Sequence, residues 1–136
     1  MTRPMRVRYF KAHLENKPGA LLQVMKELKA KNLGLRGLWG YASNHTTADL
    51  YVVPKDPKKL RALWASSGRL KEEGVGFCLR GTDRTGALNR NLEALSLAGV
   101  NIDCIDAVSV GKQFTSFIWV EPKDIEKAAK ILRSTG

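Results

Sequence analysis

The sequence predicts an α+β protein built from two tandem units with antiparallel sheets, packed as one body. Three observations carry this. The chain repeats itself: Asn16-Lys17-Pro18-Gly19-Ala20-Leu21 returns 67 residues later as Asp83-Arg84-Thr85-Gly86-Ala87-Leu88, and a fixed period of this kind marks a duplicated architecture. Leu28 with Leu95, Leu35 with Ile102, Leu50 with Phe117 and Val53 with Val120 keep the same offset. After one inserted residue, Leu60, Leu63, Trp64, Ser66 and Gly68 align with Ala128, Ile131, Leu132, Ser134 and Gly136. The second observation is that hydrophobic periodicity switches between 2 and 3.6 residues in the same order in both halves. The third is size: 136 residues suit one domain, and a unit of about 60 residues is marginal alone. The units are residues 1–68 and 69–136, with a polar joint over 69–73.

Each unit opens with a strand, over residues 6–14 and 75–80, the latter rich in β-favouring Val and Phe. A turn and a helix follow. Leu21, Val24, Met25 and Leu28 in the first helix, and Leu88, Leu92 and Leu95 in the second, recur at three- and four-residue spacing, which places each set on one core-facing stripe. The next stretches alternate with period two: Leu35, Gly37, Trp39, Tyr41 in one unit and Ile102, Cys104, Asp106, Val108, Val110 in the other, with Asp106 out of pattern. Third strands run over 46–53 and 114–120, and closing helices over about 57–66 and 124–133. The order strand, helix, strand, strand, helix asks for one more strand to complete a βαββαβ ferredoxin-like unit. Residues 69–73 or the start of the next strand are available in the first unit. In the second the sequence stops at Gly136, and its closing strand is unassigned.

Leu50-Tyr51-Val52-Val53 and Phe117-Ile118-Trp119-Val120 are apolar on both faces, whereas a sheet with helices on one side and water on the other alternates. Something covers the second face, and a homodimer is the favoured cover, with sheet-to-sheet packing of the two units as the alternative.

Composition excludes several classes of function. Hydrophobic content of 43% with 26% charged residues is that of a globular protein. No apolar run approaches the roughly 18 residues of a membrane helix, and residues 1–11 lack a signal-peptide core, so a cytoplasmic protein without membrane contact is expected. Cys78 and Cys104 have no CxxC spacing and read as buried free thiols. With only His13 and His45 beside them, no metal or other cofactor is expected. No Ser-His-Asp or Cys-His arrangement stands out, and the expected protein is not an enzyme. The 23 Lys and Arg against 13 Asp and Glu leave a net charge of +10, which raises nucleic acid, phosphate ligands or an acidic partner. The excess is uneven, since residues 1–68 hold 13 basic and 4 acidic groups and residues 69–136 hold 10 and 9.

The repeated hexamer sits where a strand ends and a helix begins. Helix N-termini present unpaired N–H groups and partial positive charge, and a glycine there lets an anion approach the backbone. The same residues also suit a plain helix start, with Asn16 and Asp83 as N-caps and Pro18 in the first turn. Residue types alone fit both readings.

Strand, hexamer, amphipathic helix and then Asn32 to Leu35, with the closer second copy Ala98-Gly99-Val100-Asn101-Ile102, resembles a tandem ACT-domain protein over essentially the whole chain. The resemblance implies paired βαββαβ regulatory modules that bind a small amino acid or related metabolite at the interface between units. It implies as ligand-binding residues Asn16, Lys17, Pro18, Gly19, Ala20 and Leu21, then Asp83, Arg84, Thr85, Gly86, Ala87 and Leu88, with Asn101 opening a strand. On that view, N–H groups near Gly86 take an α-carboxylate and Asp83 or Asn101 accepts from the α-ammonium. Gly34 stands where Asn101 does in the second copy, so the two sites are not equivalent. His13 falls one residue outside the position some relatives use, and carries little weight. The rival class is an RNA-binding ferredoxin-like protein using the basic first unit. Residues 111–118 match the aromatic RNA-recognition pattern poorly and residues 49–52 do not match it, so nucleic acid is the less favoured partner. Gly34, Gly37 and Gly40 do not open a helix and make no phosphate loop. Lys26, Lys29, Lys31, Lys55, Lys58, Lys59 and Arg61 are available to an acidic protein.

Overall fold

A computed structural model describes residues 2–135. Six strands and four helices occur in the order β1 (Thr2–Glu15), α1 (Ala20–Ala30), β2 (Leu35–Ala42), β3 (Thr47–Pro54), α2 (Pro57–Ser67), β4 (Leu70–Thr82), α3 (Asn89–Leu97), β5 (Ile102–Val110), β6 (Gln113–Val120) and α4 (Ile125–Thr135), with one 3-10 turn at Pro122–Asp124. The expected α+β class holds. The chain forms two compact units, Arg8–Gly74 and Met1–Val7 together with Val75–Gly136. The division therefore falls inside β1 and β4, whereas the sequence repeat places its boundary between α2 and β4, after Gly68.

This division supplies the strand that had no assignment. In Arg8–Gly74 the strand order is β2-β3-β1-β4, the βαββαβ order with residues 70–74 as its last strand. In the other unit the order is β1-β4-β6-β5, and the missing strand is residues 2–7, the first half of β1. It precedes in sequence the unit it completes. The β1–β3, β2–β3, β4–β6 and β5–β6 ladders are all antiparallel.

Each unit has its own core. Phe10, Val24, Leu28, Leu50, Val52, Leu60 and Trp64 are buried together in one, and Phe77, Leu79, Leu95, Val100, Ile118, Val120, Ala128 and Leu132 in the other. The stripes of α1 and α3 point inward only in part: Val24 and Leu28 are buried but Leu21 is 45% exposed. In α3, Asn91 and Leu95 take the inner face, with Leu88 and Leu92 half-buried beside them.

Ladder register corrects the pairing of the third strands. Phe10 lies opposite Val52 and Phe77 opposite Ile118. Since Phe77 is the counterpart of Phe10, Val52 corresponds to Ile118, and Leu50 to Ser116 rather than Phe117. A one-residue slip exchanges the two faces of a strand, and this pairing puts Val52 and Ile118 on the core face of both units, with buried Ser116 where the first unit has Leu50. The helices return to an offset of 68, with Leu60 and Trp64 buried as Ala128 and Leu132 are; the pairing of Gly68 with Gly136 lies outside the described residues. Two residues are thus added between β6 and α4, where the second unit has its 3-10 turn.

The second face of β3 is covered within its own unit. Tyr51 is buried under Trp39, stacked at 5.9 Å, with Tyr9 and Tyr41 each at 6.2 Å. On β6, Phe117 and Trp119 stay half-buried. Asp106, the residue out of pattern, receives the Phe117 N–H on Oδ1 at 3.0 Å and the Ser116 hydroxyl on its carbonyl at 2.6 Å.

Candidate functional site

The two hexamers fold differently in detail. In the first, α1 begins at Ala20 with Gly19 as N-cap at φ 87° and no side-chain cap. Asn16 is not the cap. Its amide donates to the Asn44 carbonyl at 3.0 Å and its N–H to the Thr46 carbonyl at 2.9 Å, so it ties the end of β1 to the β2–β3 hairpin. Lys17 pairs with Glu15 at 2.6 Å, which holds the Glu15 carboxyl below its ordinary range. Pro18 has no N–H to offer a ligand.

In the second hexamer the Asp83 N–H donates to the Lys112 carbonyl at 2.8 Å, again joining strand end to hairpin. Asp83 is exposed, and it too is not a helix cap, since α3 starts at Asn89 with Leu88 preceding it. Residues 85–88 form a turn in which the Ala87 N–H meets the Arg84 carbonyl and the Asn89 N–H meets the Gly86 carbonyl, both at 3.0 Å. Among the described residues, the N–H groups of Thr85, Gly86 and Leu88 have no hydrogen-bond partner. Gly86 sits at φ 76°, a left-handed conformation that a β-branched residue resists, and a Cβ there would lie 3.2 Å from the Asn89 amide.

A concavity of about 350 Å³ opens on this turn. Asp83, Arg84, Gly86, Ala87, Leu88 and Asn89 form one wall, and Ala107, Val108 and Ser109 of β5 with Phe114 of β6 form the other. The first wall includes Asp83, Arg84, Gly86, Ala87 and Leu88 of the repeated turn, while the β5 residues of the second approach only through the β5–β6 pairing and carry no local sequence signal. Asn101 is elsewhere. It lines a separate concavity with Leu92, Ser96 and Gly99 beyond the far end of α3, and nine helical residues span roughly 13 Å. The unit thus keeps Asn101 apart from the Gly86 turn. Among the described residues no group of three His, Cys, Asp or Glu could hold a metal ion. Cys78 is buried, while Cys104 is half-buried, with its thiol pushed up by burial and then by Asp106 and Asp103.

No protein-family model matches the sequence, and no curated protein matches it significantly. Solved structures do match. Protein BT0572 from Bacteroides thetaiotaomicron superposes with a TM-score of 0.82 at 23% identity, over 96% of this chain and 89% of that one. The ligand-free regulatory subunit of aspartate kinase from Thermus thermophilus gives 0.65 at 12% identity, over 98% and 95% of the two chains. Its counterpart from Thermus flavus gives 0.58 at 14% over the same shares. The chain has a tandem ACT fold.

At these identities the likeness is one of fold, so the ACT turns must be weighed on their own chemistry. The ACT unit containing Val75–Gly136 offers three unpaired N–H groups beside a carboxylate with no partner among the described residues. The Arg8–Gly74 ACT unit offers fewer, with Pro18 where the other has Thr85 and Asn16 already committed to its hairpin. No helix among the described residues is long and apolar enough to cross a membrane.

Proposed function

We propose that this ACT-fold protein is a non-catalytic ligand sensor that binds a small amino acid on the Asp83–Leu88 turn. The carrying observation is the pairing on one turn of three free N–H donors with the free Asp83 carboxylate. Such a pair suits a zwitterion: the N–H groups take the α-carboxylate and Asp83 the α-ammonium. The concavity, lined opposite by Ala107 and Val108, leaves room for a small apolar or hydroxylated side chain against Ser109. The regulatory aspartate kinase subunits of the same fold support a sensing role. The first turn is the weaker site on this reading, and an ACT-like neighbour completing the second is part of the proposal.

Signalling runs in trans. Lys26, Lys29, Lys31, Lys55, Lys58 and Lys59 are exposed and form no ion pair among the described residues, which suits an acidic protein partner. Ile105, Val108 and Val110 on edge strand β5 are exposed apolar residues that support a homodimer.

A thermal-shift screen across the amino acids tests the proposal. A ligand present at a hundred times its dissociation constant adds about 2.7 kcal/mol of stability. The Gly86→Val and Asp83→Ala variants should keep the fold and lose the shift. A screen in which no amino acid stabilises the protein overturns the reading, as does a shift that survives both substitutions.

A further inference from the structure

The two ACT units are copies, so a charge that only one of them carries is not demanded by the fold they share. At one end of the Arg8–Gly74 unit, the last turn of α1, the start of β2, the end of β3 and the first turn of α2 meet. The Lys55 N–H donates to the Gly34 carbonyl at 2.9 Å and Leu35 lies opposite Pro54, which ties the two connecting loops together. Six cations stand at this end: Lys29 in the last turn of α1, Lys31 at its C-cap, Arg36, Lys55, and Lys58 and Lys59 in the first turn of α2. All are exposed and form no ion pair among the described residues. Lys58 and Lys59 even sit at the positive end of the α2 dipole, where a cation is the disfavoured charge.

Acids do not offset them. Residues 29–36 and 54–59 include one acid, Asp56, whose carboxylate accepts the Lys59 N–H at 3.2 Å as the cap of α2. Glu27 and Glu73 are paired with Arg69 and Arg61, each at 2.9 Å. Asp49, toward the far end of β3, is held by His13 at 2.6 Å. Glu72 acts on Tyr51, on the sheet face away from the helices.

The corresponding end of the Val75–Gly136 unit has the same plan and opposite charges. β2 and β5 bulge at the same place, so Arg36 and Asp103 each fall out of the ladder as the extra residue, and a bulge re-aims its side chain. In ladder register Lys55 corresponds to Glu121, and at the helix offset of 68 Lys58 corresponds to Glu126. Lys29 and Lys31 become Ser96 and Ala98. The second unit also matches most of what it carries: Glu126 takes Arg6 at 2.9 Å, Glu121 and Asp124 each lie 3.8 Å from Lys123, and Lys127, the counterpart of Lys59, donates to the Ala98 carbonyl at 3.3 Å.

We propose, resting on the reading of the exposed lysines as a protein-docking surface, that this basic end holds one acidic segment of a partner protein per chain, its aspartate and glutamate side chains against Arg36, Lys55 and Lys58. Complementary charge steers encounter and fixes which surface meets which. Five of the six cations are lysines, point charges that suit scattered carboxylates, whereas arginine is the residue of choice for nucleic-acid recognition. No aromatic residue lies within 29–36 or 54–59 to stack a base.

Fluorescence anisotropy of a labelled short poly-aspartate peptide with the full chain tests it, with oligouridine of equal length as comparator. The peptide should bind at one per chain and weaken as salt rises from about 50 to 200 mM. Arg36→Asp, Lys55→Glu and Lys58→Glu together install the residues that the other unit carries. This variant should keep the circular dichroism of wild type and the amino-acid thermal shift, since the Gly86 turn belongs to the other unit, while peptide binding falls about tenfold or more. Lys71→Glu, Lys112→Glu and Lys130→Glu together, all at exposed positions, change the net charge equally and should retain most of the binding. Equal loss in both variants would overturn the docking site and leave an acidic partner in place. Absence of peptide binding overturns both. Two peptides per chain, or tighter binding of oligouridine, also overturns the assignment.

Discussion

Gly34, just before β2, and Gly40 within it look alike in the sequence, yet different neighbours hold them small. A Cβ on Gly34 would meet the flexible Lys55 side chain at 3.1 Å, whereas one on Gly40 would lie 2.8 Å from the Asp49 carbonyl, which the β2–β3 ladder fixes in place. A lysine can swing aside and a paired backbone cannot. Gly40→Ala should therefore cost about 1–3 kcal/mol, the usual range for overpacking, while Gly34→Ala stays near wild type. Urea unfolding midpoints at constant slope decide it; equal midpoints for the two variants would contradict the close approach at β2. Asp49 stands in both relations, since its carbonyl limits Gly40 and its carboxylate orients His13.

At the scale of elements, Glu73 of β4 joins α2 and β1. Arg61 Nε donates to both its carboxylate oxygens, at 2.9 and 3.2 Å, and Arg8 approaches to 3.7 Å. The hydrogen bond from Arg61 is the main cause holding the Glu73 carboxyl below its ordinary value near 4.5, with Arg61 and Arg8 charges adding to it against burial. A carboxyl lowered by folding stabilises the folded state above its unfolded value, and that contribution is lost as pH falls through the folded value. Glu73→Gln should thus flatten the fall of thermal midpoint between pH 6 and 3, and a variant as acid-sensitive as wild type would refute the linkage. Elements are also where legibility in the sequence divides. Helices, hairpins and the repeated turn follow from local patterns and were readable. The helix caps were not, because a hairpin contact distant in sequence commits the Asn16 side chain and a turn over residues 85–88 delays α3 to Asn89. The third-strand register escaped for a related reason: Leu50 to Val53 is apolar at every position, so period two leaves no mark, and only pairing with β1 fixes its faces. The β5 wall of the Gly86 concavity was hidden in the same way.

At the scale of the molecule, duplication and folding obey different boundaries. The repeat divides after Gly68, but β1 and β4 each contribute to both units. Even the charge shifts: Arg8–Gly74 holds 13 basic and 6 acidic residues and the other unit 10 and 7, a milder contrast than the two sequence halves show. A fragment of residues 1–68 lacks the 70–74 strand that neighbours β1, and one of 69–136 lacks residues 2–7. Each keeps two helices and most of a core, yet leaves a central strand with an open edge, and a unit of this size has little stability to spare. Neither fragment alone should unfold cooperatively in urea, while an equimolar mixture should regain a single transition, because each supplies the strand the other lacks. Circular dichroism of the fragments and their mixture reads this directly. Cooperative unfolding of residues 1–68 alone would mean that the sequence boundary, not the shared strands, sets the folding unit.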